Sequence, residues 1–87
     1  MKILISGITG KMGQELLKEI EKSDEFIVCA GYDKTKCDSK IPIYSNIEEI
    51  KKNPDVIIDF SNPKATFNIL KYAKKNKIPI VIATTGF

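Results

Sequence analysis

The sequence predicts an α/β fold, a doubly wound parallel sheet with strand order 3-2-1-4-5. Two features carry the prediction. Short apolar runs alternate along the chain with segments of helical periodicity, which places parallel strands in one sheet joined by right-handed crossovers. The runs are also nearly continuous in their apolar character, as in Lys2 to Ser6 (KILIS) and Asp55 to Phe60 (DVIIDF), and such strands are covered on both faces.

The elements follow in order. Lys2 to Ser6 is the first strand and stops at Gly7. From Lys11 the period changes: Met12, Leu16, Leu17 and Ile20 share one face of an amphipathic helix, Lys18, Glu19, Glu21 and Lys22 take the other, and Ser23-Asp24 closes it. Phe26 to Tyr32 is the second strand, ending at Asp33, and Lys34 to Lys40 is a polar loop. Ile41 to Tyr44 is a brief third strand at the sheet edge, where Pro42 is tolerated. Ser45 and Glu48 have capping-box spacing before a short helix that turns Ile47 and Ile50 inward and ends at Asn53-Pro54. Asp55 to Phe60 is the fourth strand. Asn62 then caps a helix with Pro63 at its first position, and Thr66, Ile69, Leu70 and Ala73 form its buried side. Ile78 to Ile82 is the fifth strand, followed by Thr84-Thr85-Gly86-Phe87.

An 87-residue chain suits one small domain, which at this size buries little more than ~60% of its unfolded surface. With 43% hydrophobic and 29% charged residues the composition is globular. No apolar run approaches the ~20 residues of a membrane-spanning helix, and Met1-Lys2-Ile3 leads into a strand pattern without a signal-peptide layout. A cytoplasmic protein is expected. Cys29 sits in a strand pattern as a core residue, and Cys37 in a polar loop as a free thiol. Neither fits a zinc spacing, and the absence of histidine removes both a metal ligand and the commonest general acid or base. No catalytic and no metal-binding residue is assigned. The net charge of +3 is a weak signal. Lys71, Lys74, Lys75 and Lys77 suit a solvated helix end, and no nucleic-acid module accompanies them.

The chemistry concentrates in ISGITGKMG, where Gly7, Gly10 and Gly13 follow the first strand and open the first helix. Unpaired amides at a helix start, with the helix dipole behind them, form a site for phosphate oxygens. In that arrangement Gly7 permits the tight exit from the strand, Gly10 the close approach of the ligand, and Gly13 the contact of helix with sheet. Asp33, twenty positions after Gly13 at the end of the second strand, takes the place of a ribose-hydroxyl acceptor. A carboxylate there favours NAD, and Lys34 beside it could accommodate the 2′-phosphate of NADP. With this strand order the chain reverses between the first and fourth strands, and ligands sit outside the carboxyl ends of the strands at that point. Gly7 and Phe60-Ser61 both lie there. Ser61, Asn62 and the Thr84-Thr85-Gly86 turn end neighbouring strands and could supply further contacts, although Asn62 serves equally as a plain helix cap, and Phe60 reads by composition as core rather than ligand contact. The expected fold is therefore Rossmann-type.

Three segments, GITGKMG, VIIDFSNPKAT (Val56 to Thr66) and VIATTGF (Val81 to Phe87), resemble the N-terminal signatures of the 4-hydroxy-tetrahydrodipicolinate reductase family, the dihydrodipicolinate reductases of lysine and diaminopimelate synthesis. The resemblance covers essentially the whole chain. It implies that Gly7, Ile8, Thr9, Gly10, Lys11 and Met12 wrap the cofactor's pyrophosphate and that Asp33 and Lys34 read the adenosine ribose. It further implies that Phe60, Ser61 and Asn62 line the cleft and that Ala83, Thr84 and Thr85 approach the nicotinamide ribose. The family commonly carries glycine where this chain has Ala83.

By the same resemblance, NADH or NADPH donates hydride to a cyclic dicarboxylate substrate, and the histidine- and lysine-bearing motif that binds substrate lies in a second domain absent from this chain. The whole enzyme is expected to be a cytoplasmic homotetramer with no nucleic-acid or membrane partner. Residues 1–87 are then the N-terminal part of its dinucleotide-binding domain, inactive alone, and a fifth strand so near the C-terminus, with an apolar edge, fits a truncated sheet. The alternatives are a non-catalytic dinucleotide-sensing module and another Rossmann oxidoreductase.

Overall fold

The computed structural model describes residues 1–34, 40–50 and 53–83. Its elements are β1 (Lys2–Ser6), α1 (Lys11–Glu21), β2 (Ile27–Tyr32), β3 (Ile43–Tyr44), a single 3-10 turn (Ile47–Glu49), β4 (Val56–Asp59), α2 (Pro63–Asn76) and β5 (Ile80–Ile82). The strands form one parallel sheet in the order β3-β2-β1-β4-β5, as the sequence predicts.

β1 lies at the centre of the sheet, and its side chains divide between two cores because successive residues point to opposite faces. Ile3 and Ile5 pack with Ile8, Ile20 and Val28 on the side of α1, joined by Leu16 and Leu17. Leu4 packs with Ile57 against Ile69, Tyr72 and Ala73 of α2, together with Ile50 and Ile78. One helix therefore covers each face, which is why β1 and β4 read as continuous apolar runs.

A register shift in β2 was not foreseeable from the pattern. Ile3 pairs with Val28, but Leu4 pairs with Ala30, so Cys29 is an extra residue opposite the Ile3/Leu4 step. A bulge of this kind moves the following side chains to the other face. Val28 accordingly joins the α1-side core, whereas Ala30 and Tyr32 join the α2-side core. Cys29 itself is half-buried and packs against the latter, close to its expected role.

Five expectations are corrected. Met12, in the first turn of α1, is 55% exposed. Leu70 is also exposed; Tyr72, three residues after Ile69, takes the inward position and donates its hydroxyl to Asn53 Oδ1 at 2.9 Å. Ser45 and Glu48 make no capping box: Asn46 is the cap, accepting from the Glu48 amide at 3.0 Å, and the helix is one 3-10 turn. Ile47 and Ile50 do face the core. Strands β2, β3 and β4 are each shorter than expected. Asp55 stands outside β4 and receives the Lys2 amide on Oδ2 at 2.7 Å.

The fifth correction is at the start of β5. Lys77 adopts the left-handed conformation, φ 56° and ψ 45°. Its amide donates to Lys74 O and that of Ile78 to Ala73 O, the two bonds of a Schellman motif. Ile78 is thus the apolar residue of a helix cap, and the strand begins at Ile80. The expectation for Cys37 falls outside the described residues.

Candidate dinucleotide-binding site

At the carboxyl ends of β1, β2 and β4 lies a crevice of about 240 Å³. Gly7, Thr9 and Gly10 form one wall, Tyr32, Asp33 and Lys34 another, and Phe60, Ser61, Asn62 and Ala65 the third. The structure therefore brings together the glycine turn, the acidic residue after β2 and the turn after β4, as the topology requires.

The three glycines differ in their surroundings. Gly7 has φ +79°, and a Cβ there would stand 2.9 Å from Phe60 C and Ser61 N, so the first turn packs directly on the turn after β4. At Gly13 a Cβ would meet Gly7 O at 2.6 Å and Ile8 Cα at 2.8 Å, so only glycine lets α1 sit this close to the strand exit. A Cβ at Gly10 would meet only Gly7 O, at 3.4 Å; its outer side is open, as close approach of a ligand requires. Gly10 is the N-cap of α1 and provides no side-chain cap, and the first turn of α1 carries no acidic residue. By contrast, Asn62 caps α2 by accepting from the Ala65 amide at 2.9 Å.

Asp33 closes the glycine turn from the side. Its Oδ2 accepts from the Thr9 amide at 2.9 Å and from the Thr9 hydroxyl at 2.6 Å. Lys34 is exposed at the same rim. A carboxylate, an adjacent cation and an uncapped helix start fit a dinucleotide's ribose and pyrophosphate.

Beneath the crevice is a polar cluster that sequence reasoning missed. Asp59, at the end of β4, is fully buried. Its Oδ1 accepts from the amide and the hydroxyl of Ser61, and its Oδ2 from the hydroxyl of Thr66. Burial pushes the Asp59 carboxyl up, but the hydrogen bonds from Ser61 and Thr66 outweigh burial and hold its pKa below the ordinary 3.8. The buried Ser6 hydroxyl is near enough to favour the ionised form slightly, although it is not in hydrogen-bond geometry with any partner. The one sequence signal was a carboxylate closing an otherwise apolar strand.

The remaining expected residues are placed less directly. The Ser61 hydroxyl is turned inward to Asp59, so what Ser61 offers the crevice is its position in the wall rather than that hydroxyl. Phe60 both packs on the α1-side core and lines the crevice. Ile8 is fully buried and only its backbone belongs to the turn, with its carbonyl accepting from Gln14 Nε2 at 2.7 Å. Lys11 and Met12 are exposed on the first turn of α1, outside the crevice wall. Ala83 is exposed, and its amide donates to Asp59 O at 2.8 Å, continuing the β4–β5 pairing. Thr84 and Thr85 lie outside the described residues.

A larger groove of about 810 Å³ runs between α2 and residues 45–50 with Asn53. It has no glycine turn and no helix start, and its cations Lys71 and Lys75 are exposed on α2. The smaller crevice is the candidate site. Among the described residues no group of three His, Cys, Asp or Glu could hold a metal ion, and no helix is long and apolar enough to cross a membrane.

Comparison with known proteins agrees with this geometry. Residues 1–87 match the family model described as dihydrodipicolinate reductase, N-terminus. The chain is 45% identical over 86 residues to the 4-hydroxy-tetrahydrodipicolinate reductase of Caldanaerobacter subterraneus subsp. tengcongensis, covering 99% of this chain and 34% of that one. It is 41% identical over 87 residues to the enzyme of the same name from Clostridium novyi, again covering 99% of this chain and 34% of the relative. Among solved structures, dipicolinate-bound dihydrodipicolinate reductase from Paenisporosarcina sp. TG-14 superposes with a TM-score of 0.80 at 27% identity, over 100% of this chain and 38% of that one. The chain thus spans about a third of the length of the relatives it matches.

Proposed function

We propose, since the chain belongs to the dihydrodipicolinate reductase N-terminal family, that it is the dinucleotide-binding part of an NAD(P)H-dependent reductase converting 4-hydroxy-tetrahydrodipicolinate to tetrahydrodipicolinate in lysine and diaminopimelate synthesis. The observation that carries the reading is the convergence of Gly7, Gly10, Asp33, Lys34 and Ser61 on one crevice at the ends of β1, β2 and β4.

In this reading the Gly7–Gly10 turn and the start of α1 hold the pyrophosphate through backbone amides. Asp33 and Lys34 hold the adenosine ribose, with Phe60, Ser61 and Asn62 as the facing wall. Ala83, Thr84 and Thr85 belong to the nicotinamide side. When bound, the reduced nicotinamide supplies the hydride. Residues 1–87 position that donor, while the acid and the contacts to a cyclic dicarboxylate come from a second domain of the whole protein, which we take to be a cytoplasmic homotetramer. Asp33 supports NAD; Lys34 at the same rim supports use of NADP as well.

Titration of the full-length protein with NADH and NADPH tests the proposal. NADH is expected to bind, and Asp33→Ala to weaken it about tenfold, the equivalent of ~1.4 kcal/mol for a lost hydrogen bond to a charged group. Absence of binding by either dinucleotide would overturn the reading. Consumption of NADH or NADPH that depends on 4-hydroxy-tetrahydrodipicolinate checks the reaction itself.

A further inference from the structure

We infer that Thr9 sets the cofactor preference of this site by positioning the carboxylate of Asp33, an inference that rests on the dinucleotide reading above. Two donors of one residue converge on one oxygen: the Thr9 amide and the Thr9 hydroxyl both reach Asp33 Oδ2, at 2.9 and 2.6 Å. The backbone donor alone would tie the glycine turn to the end of β2. The hydroxyl adds a second, charge-assisted bond and fixes the rotation of the carboxyl group.

The register shift at Cys29 supports this role. With two residues of β2 opposite one step of β1, Ala30 and Tyr32 face α2. The alternate positions, Gly31 and Asp33, consequently turn toward the glycine turn. A Cβ at Gly31 would stand 2.7 Å from the Ile8 side chain, and Asp33 meets Thr9. Strand and turn are therefore matched to bring these two side chains together, and both line the crevice.

The consequence is one of selectivity. A carboxylate held at a fixed orientation accepts from a ribose 2′-hydroxyl and repels a 2′-phosphate. Without the Thr9 hydroxyl the carboxylate loses one of the bonds that orient it, which weakens the first effect and relieves the second, while Lys34 stays at the rim to meet a phosphate. Thr9 is a positioning residue here, since it acts through Asp33.

The test compares NADH and NADPH affinities of the full-length protein with those of Thr9→Val and Thr9→Ser. Valine keeps the shape and the amide and removes only the hydroxyl. Thr9→Val is expected to raise the NADH Kd about tenfold and the NADPH Kd less than threefold, shifting the ratio by at least threefold toward NADPH. Thr9→Ser is expected to restore the parental ratio to within about twofold. If the hydroxyl merely stapled the turn, both affinities would move together, and a ratio unchanged in Thr9→Val would overturn the inference.

A double-mutant cycle supplies a second readout: in an Asp33→Ala background Thr9→Val is expected to leave the ratio unaltered. A shift of the same size in that background would show that Thr9 acts without Asp33, and the inference would fall. A parent that binds neither dinucleotide overturns the functional reading and this inference with it, whereas normal parental binding with an unmoved ratio overturns this inference alone.

Discussion

Asp59 illustrates how a single buried residue can shape a site it does not line. A carboxylate with no exposure is costly unless its oxygens are satisfied, and Ser61 and Thr66 satisfy both. Those bonds fix the turn after β4, which packs against Gly7 with no room for a Cβ. The hydrogen bonds favour the ionised form more than burial disfavours it, so the folded pKa lies below 3.8. A depressed folded value means that the stabilisation is complete above the unfolded pKa and is lost as pH falls through the folded one. Thermal unfolding of the parent and of Asp59→Asn is therefore expected to differ by a constant amount from pH 7 down to about 5, and the difference to shrink progressively as pH falls past the ordinary 3.8. A difference that grows on acidification would mean that burial dominates and that Asp59 is protonated in the folded protein. The sequence concealed this residue because Asp59 follows Val56, Ile57 and Ile58 and reads as the polar end of a strand, whereas its partners Ser61 and Thr66 read as ordinary turn and helix residues.

Element by element, legibility followed the strength of the local signal. β1, α1, β4 and α2 are visible because a run or a 3.6-residue period stands beside a terminal marker: Gly7 after β1, and Asn62-Pro63 before α2. Leu70 was misplaced because it neighbours the inward Ile69, and the inward Tyr72 carries a hydroxyl whose partner, Asn53, is distant in sequence. The start of β5 was hidden because the left-handed residue of the Schellman motif is Lys77, where glycine would have marked the end of the helix. A β-carbon in that conformation costs about 1–2 kcal/mol, and glycine's greater freedom in the unfolded chain returns part of it. Lys77→Gly is accordingly expected to stabilise the end of α2 by about 0.5–1 kcal/mol. Slower amide exchange at Lys77 and Ile78 in the full-length protein would show it, and faster exchange would contradict the strain argument. The Cys29 bulge had no marker at its own position, since the strand's glycine, Gly31, stands two residues further on and the strand has no proline.

At the scale of the whole molecule, topology places the crevice and also grades the stability around it. The order β3-β2-β1-β4-β5 puts the two turns of the crevice at the ends of the adjacent strands β1 and β4, where the connection changes direction. That much was legible in the sequence, because alternation of strand and helix prescribes the order and the glycines mark one of the two strand ends. Thr84 and Thr85 read from the residues as a turn ending a neighbouring strand, and only the resemblance gives them a nicotinamide-side role. β1 is paired on both edges and covered on both faces, with Leu4 and Ile5 fully buried. β5 has only one partner among the described residues, and Val81 and Ile82 are 55% and 44% exposed. Local opening follows burial and pairing, so amides of β1 are expected to exchange more slowly than those of β5 in the full-length protein. Saturating NADH should leave β1, already protected, little changed. It should slow exchange at residues 7–13, around Asp33 and Lys34, and at 60–62, three segments remote in sequence that meet at the crevice. Hydrogen exchange with and without NADH measures this directly. Protection centred instead on residues 45–50 and 68–76 would place the ligand in the groove between α2 and the 3-10 turn, and the assignment of the crevice would have to be abandoned.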